Sequence, residues 1–489
     1  MESTAPRFGR GRIFALIGYA LLVGTLASFR LHSGSALWLD EALSVNIARL
    51  PLPQLVTALR HDGSPPLYYL LLHYWVAIFG TGDNAVRALS TLFSLLALPV
   101  AYLAGRRLGG RDAGLAAALL LAACPFAVRY ATETRMYALV MLLTLVQIWF
   151  VLRALERPSR PRLGAVAIGA GLLAVTHYWT LFLLVAGATV LLIRAWRERW
   201  RGPALRVLLA VPYGAVVFLP WLPSFVFQAR HTGTPWAPAP TWHDAVNTLR
   251  QWFGTGLAGL ALSLLVAALA LGALRRPAAR QVLLVGLGAL VVGLLVSRLQ
   301  GAGYALRYSA PAVAAVLLAP AIGVARLTGP RQAASLAVVA ALGTAVAVGT
   351  PLLASRTQAR ATAALLRDRL GPGDVVVFCP DQLGPAVDRL LPPGTDAVVY
   401  PTMGTPQRVD WVDYATRNAA GSPTAVAAAV DSRAAGAIWL VRADGYRTFG
   451  TQCAQLDQEL AARRTGRTVW QRPAGTGETE WLVGYDAPS

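Results

Sequence analysis

Three short segments hold residues that could do chemistry together. LWLDEALSVNIARL sets Asp40 and Glu41 side by side just after the first apolar stretch, and HDGSPPLYY brings His61 and Asp62 to the start of another. YATETRMYAL puts Glu133 and Arg135 in a tight turn between two further apolar stretches. Two smaller groups join them: His177 in VTHYWT, and Tyr304, Arg307 and Tyr308 in GYALRYSAP, where a later stretch opens. A carboxylate can take the proton of an attacking hydroxyl, and cationic groups can stabilise a phosphate that leaves. The set therefore suits transfer from a phosphorylated lipid carrier. A divalent cation, Mg or Mn, held by Asp40 and Glu133 is a further expectation.

Each residue taken alone has a plainer reading. Asp40 or Glu41 would cap a short helix, since acids are favoured in a first helical turn. Glu133 and Arg135 would be an interfacial pair of small worth. His177 would be a satisfied core residue, and Arg307 would snorkel to headgroups. Convergence of all of them on one face is what favours chemistry.

The elements that must bring them together are membrane helices. Of 489 residues 55% are hydrophobic and 14% charged, against about a quarter charged in soluble chains, which excludes an ordinary soluble enzyme. Apolar stretches recur at 13–29, 86–105, 113–130, 136–152, 163–176, 178–193, 207–226, 255–274, 281–297, 308–325 and 333–353. Most are near the ~20 residues a spanning helix needs, so about 11 transmembrane helices are expected, the first an uncleaved anchor behind Arg7, Arg10 and Arg12. Residues 66–80 are apolar but too few for an untilted crossing and rich in Tyr and Trp, which reads as a helix lying in the interface. With that segment left uncounted, the loops assigned to the cytoplasm carry 17 arginines and the opposite loops six. Arginine excess marks the cytoplasmic side. The N-terminus is then cytoplasmic, and the candidate residues face outward.

From residue 356 the texture changes. Residues 356–489 hold 14 Arg and 14 acids, so the whole excess of +20 belongs to residues 1–355 and is flanking charge, not a nucleic-acid face. GPGDVVVFC, TDAVVYP, GAIWLV and WLVGYD read as buried strands, with helices over Asp381–Leu391 and Tyr446–Arg464. The turn after the first of these strands, CPDQLGP, is not GxGxxG, so no nucleotide site is read there, and no GxxxxGK[ST] loop is present. Cys124 lies in an apolar run; Cys379 and Cys453 are read as two unpaired buried thiols, with a disulfide as the alternative in an oxidising compartment.

The residues resemble the GT-C membrane glycosyltransferases, in particular the family of dolichyl-phosphate-mannose:protein mannosyltransferases and the bacterial aminoarabinose transferase acting on lipid A (glycosyltransferase family 39). The resemblance covers roughly residues 10–355 and rests on W-x-D-E-A-x-S at Trp38–Ser44, D-G-S-P-P-L-Y-Y at Asp62–Tyr69, Y-A-T-E-T-R-M-Y at Tyr130–Tyr137 and R-Y-x-x-P at Arg307–Pro311. It implies a polyprenyl-phosphate sugar donor and inverting transfer on the extracytoplasmic face. Asp40 would be the base, Glu41 would orient it or help bind a cation, and Glu133 would be the second acid. Arg135, His177 and Arg307 would hold the donor phosphate, with His61, Asp62, Tyr304 and Tyr308 lining the substrate site. The chain departs from lipid A-modifying members, which carry Lys where it has His177, and from eukaryotic members, whose lumenal β-rich insert it lacks.

The expected protein is thus a multi-pass cell-membrane all-α bundle of GT-C type, residues 1–355, followed by a small extracytoplasmic α/β domain, residues 356–489. Its expected activity is transfer of a sugar, mannose first, from a polyprenyl phosphate to an envelope acceptor. Membrane lipids surround it and no nucleic acid is expected. The rival is a lipid-linked-sugar flippase or transporter, whose site belongs near mid-membrane between repeated halves.

Overall fold

The computed structural model describes residues 10–31, 33–349, 355–475 and 477–488. Arg7 and the end of the last expected span lie outside the described residues, as do the side chains of Arg10 and Arg12.

Each apolar stretch forms helix. After α1 (Arg10–Ser28) come three short helices, α2 (Leu39–Ala48), α3 (Leu52–Asp62) and α4 (Leu67–Phe79). Next is α5 (Asp83–Ala123), 41 residues that hold two of the expected spans. It reverses direction at Gly109–Gly110, where Gly110 takes φ +84°, a conformation L side chains rarely adopt. The two arms then pack closely, since a Cβ on Gly105 would lie 2.6 Å from the Ala113 carbonyl oxygen. A short α6 (Pro125–Ala131) and a non-helical turn lead into α7 (Tyr137–Glu156), α8 (Arg160–Ala174) and α9 (Thr180–Arg197).

Among the described residues, eight helices are long and apolar enough to cross a membrane. They include α5, α7, α9 and the later segments Pro203–His231, Gly256–Ala273, Pro277–Leu299, Leu306–Val324 and Pro330–Val348; α1 and α8 are helical but fall short of that measure. Leu306–Val324 is 89% buried, so a helix apolar on every side runs through the middle of the bundle. Arg307 sits at its first turn. By contrast α4 has only 13 residues, about 20 Å of helix against a hydrocarbon core of about 30 Å. Tyr68, Tyr69 and Leu72 face inward while Tyr74, Ile78 and Phe79 stay exposed.

The C-terminal part is a small α/β unit. Its sheet has the order β2-β1-β3-β5-β4, from β1 (Val375–Cys379), β2 (Ala397–Val399), β3 (Ile438–Arg442), β4 (Thr468–Gln471) and β5 (Trp481–Tyr485). β1 runs parallel to both β2 and β3, and β5 and β4 close the sheet antiparallel. β4 was not expected; it is a short edge strand with no fully buried residue, so it lacks the continuous apolar run that marks the others. The helix expected over Asp381–Leu391 shortens to Gly384–Asp388, and that over Tyr446–Arg464 to Gln452–Arg463.

One expectation is overturned. Cys379 and Cys453 are joined in a disulfide, not left as two thiols. Cys379 ends β1 and Cys453 lies in the first turn of the helix Gln452–Arg463, a proximity that 74 residues of separation hides in the sequence. Cys124 is the free, buried cysteine.

The unit sits on the end of the bundle that carries α2–α4. Asn46 Nδ2 donates to the Gln407 carbonyl at 2.7 Å, the Trp411 amide to the His61 carbonyl at 3.2 Å, and Arg389 to Asp83 at 2.6 Å. Purified protein unfolded without reductant should take up one alkylating group per chain, on Cys124, and three after reduction; three in both conditions would contradict the disulfide.

Candidate functional site

The site begins with the first turn of α2. Trp38 precedes it with extended backbone and gives no side-chain cap. The orphan amide of Leu39 is instead accepted by both carboxylate oxygens of Glu478, at 2.9 and 3.1 Å, from the far end of the α/β unit. Asp40 and Glu41 follow, and because successive residues on a helix point about 100° apart they face different surroundings.

Glu41 turns inward and is fully buried. Arg87, near the start of α5, grips it with two hydrogen bonds of 2.7 and 2.6 Å, and the Thr134 amide donates to it at 2.9 Å. Arg87 also donates to the carbonyls of Ser35 and Ala36. One buried carboxylate thus ties α2, α5 and the Glu133 turn into a single corner. Glu41 has no free oxygen for a substrate proton, and its geometry is that of a positioning group.

Asp40 faces the other way, between two arginines. Its Oδ2 lies 3.2 Å from Arg307 and 3.9 Å from Arg135. Arg135 is itself held by Ser44 at 3.0 Å and by the Tyr69 hydroxyl at 2.9 Å, and that hydroxyl donates to Asp62 at 3.0 Å. Gly63 makes this possible: its φ of +85° ends α3 directly after Asp62 and turns the chain so that α4 brings Tyr69 back to it. Burial pushes the Asp62 carboxyl up, opposed by Arg135 and by its hydrogen bonds from Ser64 and Tyr69. The Arg307 guanidinium stands against aromatic rings, 5.6 Å from the centroid of Trp38, 5.0 Å from Trp236 and 5.8 Å from Tyr308.

Glu133 forms a neighbouring group. It is buried, 3.2 Å from Arg129 and 3.8 Å from Arg356, and Arg356 is also 3.8 Å from Glu41. Arg356 further donates to the Thr132 carbonyl at 2.8 Å and the Thr132 hydroxyl at 2.7 Å. Burial lowers it to about 10, which leaves it charged at neutral pH. The opening-loop acids and the Glu133 turn therefore meet at one end of the bundle, with Tyr130 in electrostatic reach of both Arg307 and Glu133. Buried polar atoms without a hydrogen-bond partner concentrate here: Trp38 Nε1, Asp40 Oδ2, both Glu133 oxygens, Arg135 Nε, Tyr137 Oη and Arg307 Nε. Native interiors satisfy nearly all such groups, so a cluster of exceptions marks a place built for something else to bind.

The remaining candidates divide. Tyr308 and His177 pack ring to ring at 5.3 Å beside Arg307. Burial, reinforced by Arg135 and Arg307, drives His177 down to about 3, so it is neutral before any phosphate arrives. Its Nδ1 accepts the Trp179 amide at 3.2 Å, which leaves Nε2–H as a donor. Tyr304 turns away to Thr248 at 2.8 Å. His61 faces the α/β unit and pairs with Asp410 at 3.1 Å, because α3 ends with that side outward. Sequence reasoning missed Arg87, Tyr69, Arg356 and Glu478; only Arg87, a lone charge opening an apolar stretch, gave a usable signal.

A divalent cation fits these residues poorly. Asp40 and Glu133 are each already flanked by two arginines, and among the described residues no three His, Cys, Asp or Glu side chains converge on one point.

Comparison with known proteins places this geometry. Residues 63–223 match the family model described as dolichyl-phosphate-mannose-protein mannosyltransferase. Over its length the structure is similar to ArnT from Cupriavidus metallidurans in the apo state, with a TM-score of 0.60 at 14% identity, covering 97% of this chain and 98% of that one. The chain has the GT-C fold. The same ArnT bound to undecaprenyl phosphate gives a TM-score of 0.58 at 14% identity, over 96% of this chain and 97% of that one. A curated relative, the undecaprenyl phosphate-alpha-4-amino-4-deoxy-L-arabinose arabinosyl transferase of Pseudomonas paraeruginosa, is 34% identical over 172 residues, 33% of this chain and 30% of the relative. The matched segment thus spans under a third of that relative's length.

Breaking a buried ion pair by removing one partner costs about 3–5 kcal/mol. Glu41→Ala and Arg87→Ala should therefore lower the unfolding temperature in detergent markedly, while Asp40→Asn should leave it close to wild type. Equal losses for Glu41→Ala and Asp40→Asn would contradict the division of roles between the two acids.

Proposed function

We propose that this chain is an integral membrane glycosyltransferase that moves a sugar from a polyprenyl phosphate to a hydroxyl of a cell-envelope acceptor. The observation that carries the reading is Asp40 Oδ2 set against Arg307 and Arg135 amid unpartnered buried polar atoms. In this mechanism the acceptor hydroxyl gives its proton to Asp40 as its oxygen attacks the anomeric carbon. The bond from that carbon to the phosphate oxygen breaks, and the configuration inverts. Arg307 and Arg135 take the charge that grows on the departing lipid phosphate. Trp38, Trp236 and Tyr308 offer ring faces to the sugar, and His177 offers a neutral donor. Glu133, with Arg129 and Arg356, acts as the second acid in shaping the field around that phosphate.

Support for the donor class comes from the relatives: the similar ArnT structure binds undecaprenyl phosphate, and the curated relative is named for an undecaprenyl-phosphate sugar. Mannose is the first donor to test, in line with the family description, and aminoarabinose the second. A multi-pass topology with the site and the α/β unit on the extracytoplasmic face is supported by the disulfide, which persists in oxidising compartments, and by the arginines gathered at the opposite helix ends. The charged groups lie at one end of the bundle, not at its middle, which weighs against a transporter.

Membranes from cells lacking the protein, supplied with wild type and incubated with labelled polyprenyl-phosphate sugars, should transfer label to an envelope fraction. Removing a positioned base typically costs about 10²–10⁴-fold, so Asp40→Asn should nearly abolish transfer and Arg307→Ala should cost about 10²-fold. Undiminished transfer by Asp40→Asn protein would remove Asp40 as the base.

A further inference from the structure

Glu478 is a side chain of the α/β unit that reaches the first amide of α2, and neither its sequence context nor its distance from the opening loop announces it. We propose that Glu478 is a positioning residue for Asp40, so that the α/β unit completes the transfer site and does more than cover it. This rests on the transferase reading above.

Three observations carry it. First, Glu478 supplies the cap that α2 lacks. Both of its oxygens accept the Leu39 amide, one residue before Asp40, and nothing from α2's own flank does so. A helix whose first turn has no cap frays, and a fraying first turn would swing Asp40 away from Arg307.

Second, Glu478 is itself fixed by backbone. Thr357 and Glu478 form a parallel bridge, in which the Glu478 amide donates to the Arg356 carbonyl at 2.9 Å and the Gln358 amide to the Glu478 carbonyl at 3.1 Å. Gly477 lets the two strands approach: its φ is +98°, and a Cβ there would sit 2.2 Å from the Arg356 carbonyl oxygen. The other arm of the bridge carries Arg356, whose amide donates to Ser35 at 2.7 Å and whose guanidinium holds Thr132 beside Glu133. A single two-stranded clamp therefore touches α2 through Glu478 and the Glu133 turn through Arg356.

Third, the carboxyl group sits in a costly place. Burial raises Glu478 well above the usual carboxylate range, and Glu480 and Asp40 add repulsion that the Leu39 amide and Thr357 only partly offset. The arrangement is explained when the group's task is to hold the turn that carries the base.

The test compares three variants of the full-length protein in nanodiscs. Misplacing a reacting group by about 1 Å costs about 10²-fold, so Glu478→Ala should lower kcat by about 10- to 100-fold with donor KM changed less than about threefold. Glu478→Gln keeps an oxygen that accepts the Leu39 amide and should return kcat to within about threefold of wild type. Gly477→Ala, which displaces Glu478 without altering its side chain, should resemble Glu478→Ala. Hydrogen exchange gives a readout that needs no activity: amides of Leu39–Leu43 should exchange at least about tenfold faster in Glu478→Ala and Gly477→Ala, and at the wild-type rate in Glu478→Gln. Unchanged kcat and exchange in Glu478→Ala would overturn the proposal, as would a Glu478→Gln variant as impaired as the alanine. Should wild type transfer no sugar, the function is wrong, and the exchange arm still decides whether Glu478 fixes the first turn of α2.

Discussion

The buried pair between Glu41 and Arg87 is the constraint on which the rest of the site depends. Placing a carboxylate and a guanidinium in a protein interior costs several kcal/mol of lost hydration for each ion, and only near-ideal geometry offsets it. Here the geometry is bidentate, the remaining Arg87 donors reach two carbonyls, and the carboxylate also takes a backbone amide. The pair is satisfied as a unit. Since it joins α2, α5 and the turn before α7, those three elements cannot shift independently. Asp40, one residue away on α2, inherits a fixed direction.

From that corner the charge pattern follows. Arg87 and Arg356 flank Glu41, Arg129 and Arg356 flank Glu133, and Arg135 and Arg307 flank Asp40. Glu41 is saturated with hydrogen bonds, while Asp40, Arg307 and the Glu133 carboxylate keep buried atoms without partners. The same residue types in one small region therefore divide between holding the fold and facing a substrate. Hydrogen-bond saturation tells them apart, and residue identity does not.

Much of the fold was legible because membrane helices must satisfy their backbone internally and so appear as long apolar runs. The stretch at 86–105 and the one at 113–130 show as separate spans because Arg106, Arg107, Arg111 and Asp112, with Gly109 and Gly110, break the run between them. Residues 66–80 could be set apart by their length, their Tyr and Trp and the arginine count of the loops, and the helix there, α4, is 13 residues long. Four of the five strands were visible as apolar runs; β4, an edge strand with alternating exposure, was not. For the site, Asp40, Glu133, Arg135 and Arg307 stood out because charges are rare beside spans. Which of Asp40 and Glu41 faces inward was hidden, since it depends on Arg87 arriving from another helix. Arg356 and Glu478 were hidden for a different reason: a neutral, ordinary-looking domain gives no sign of which of its charges will point back into the membrane part. The disulfide was hidden likewise, its partners being brought together only by the packing of a helix on the sheet.

The central claim is spatial: a lipid-linked phosphate belongs on Arg307 and Arg135, beside Asp40. It is tested most directly by a cryo-EM structure of the full-length protein in nanodiscs with bound polyprenyl phosphate. The account predicts phosphate density within hydrogen-bond reach of the Arg307 or Arg135 guanidinium, on the Asp40 side of α2. Density at the opposite helix ends, or midway through the bundle, would contradict it.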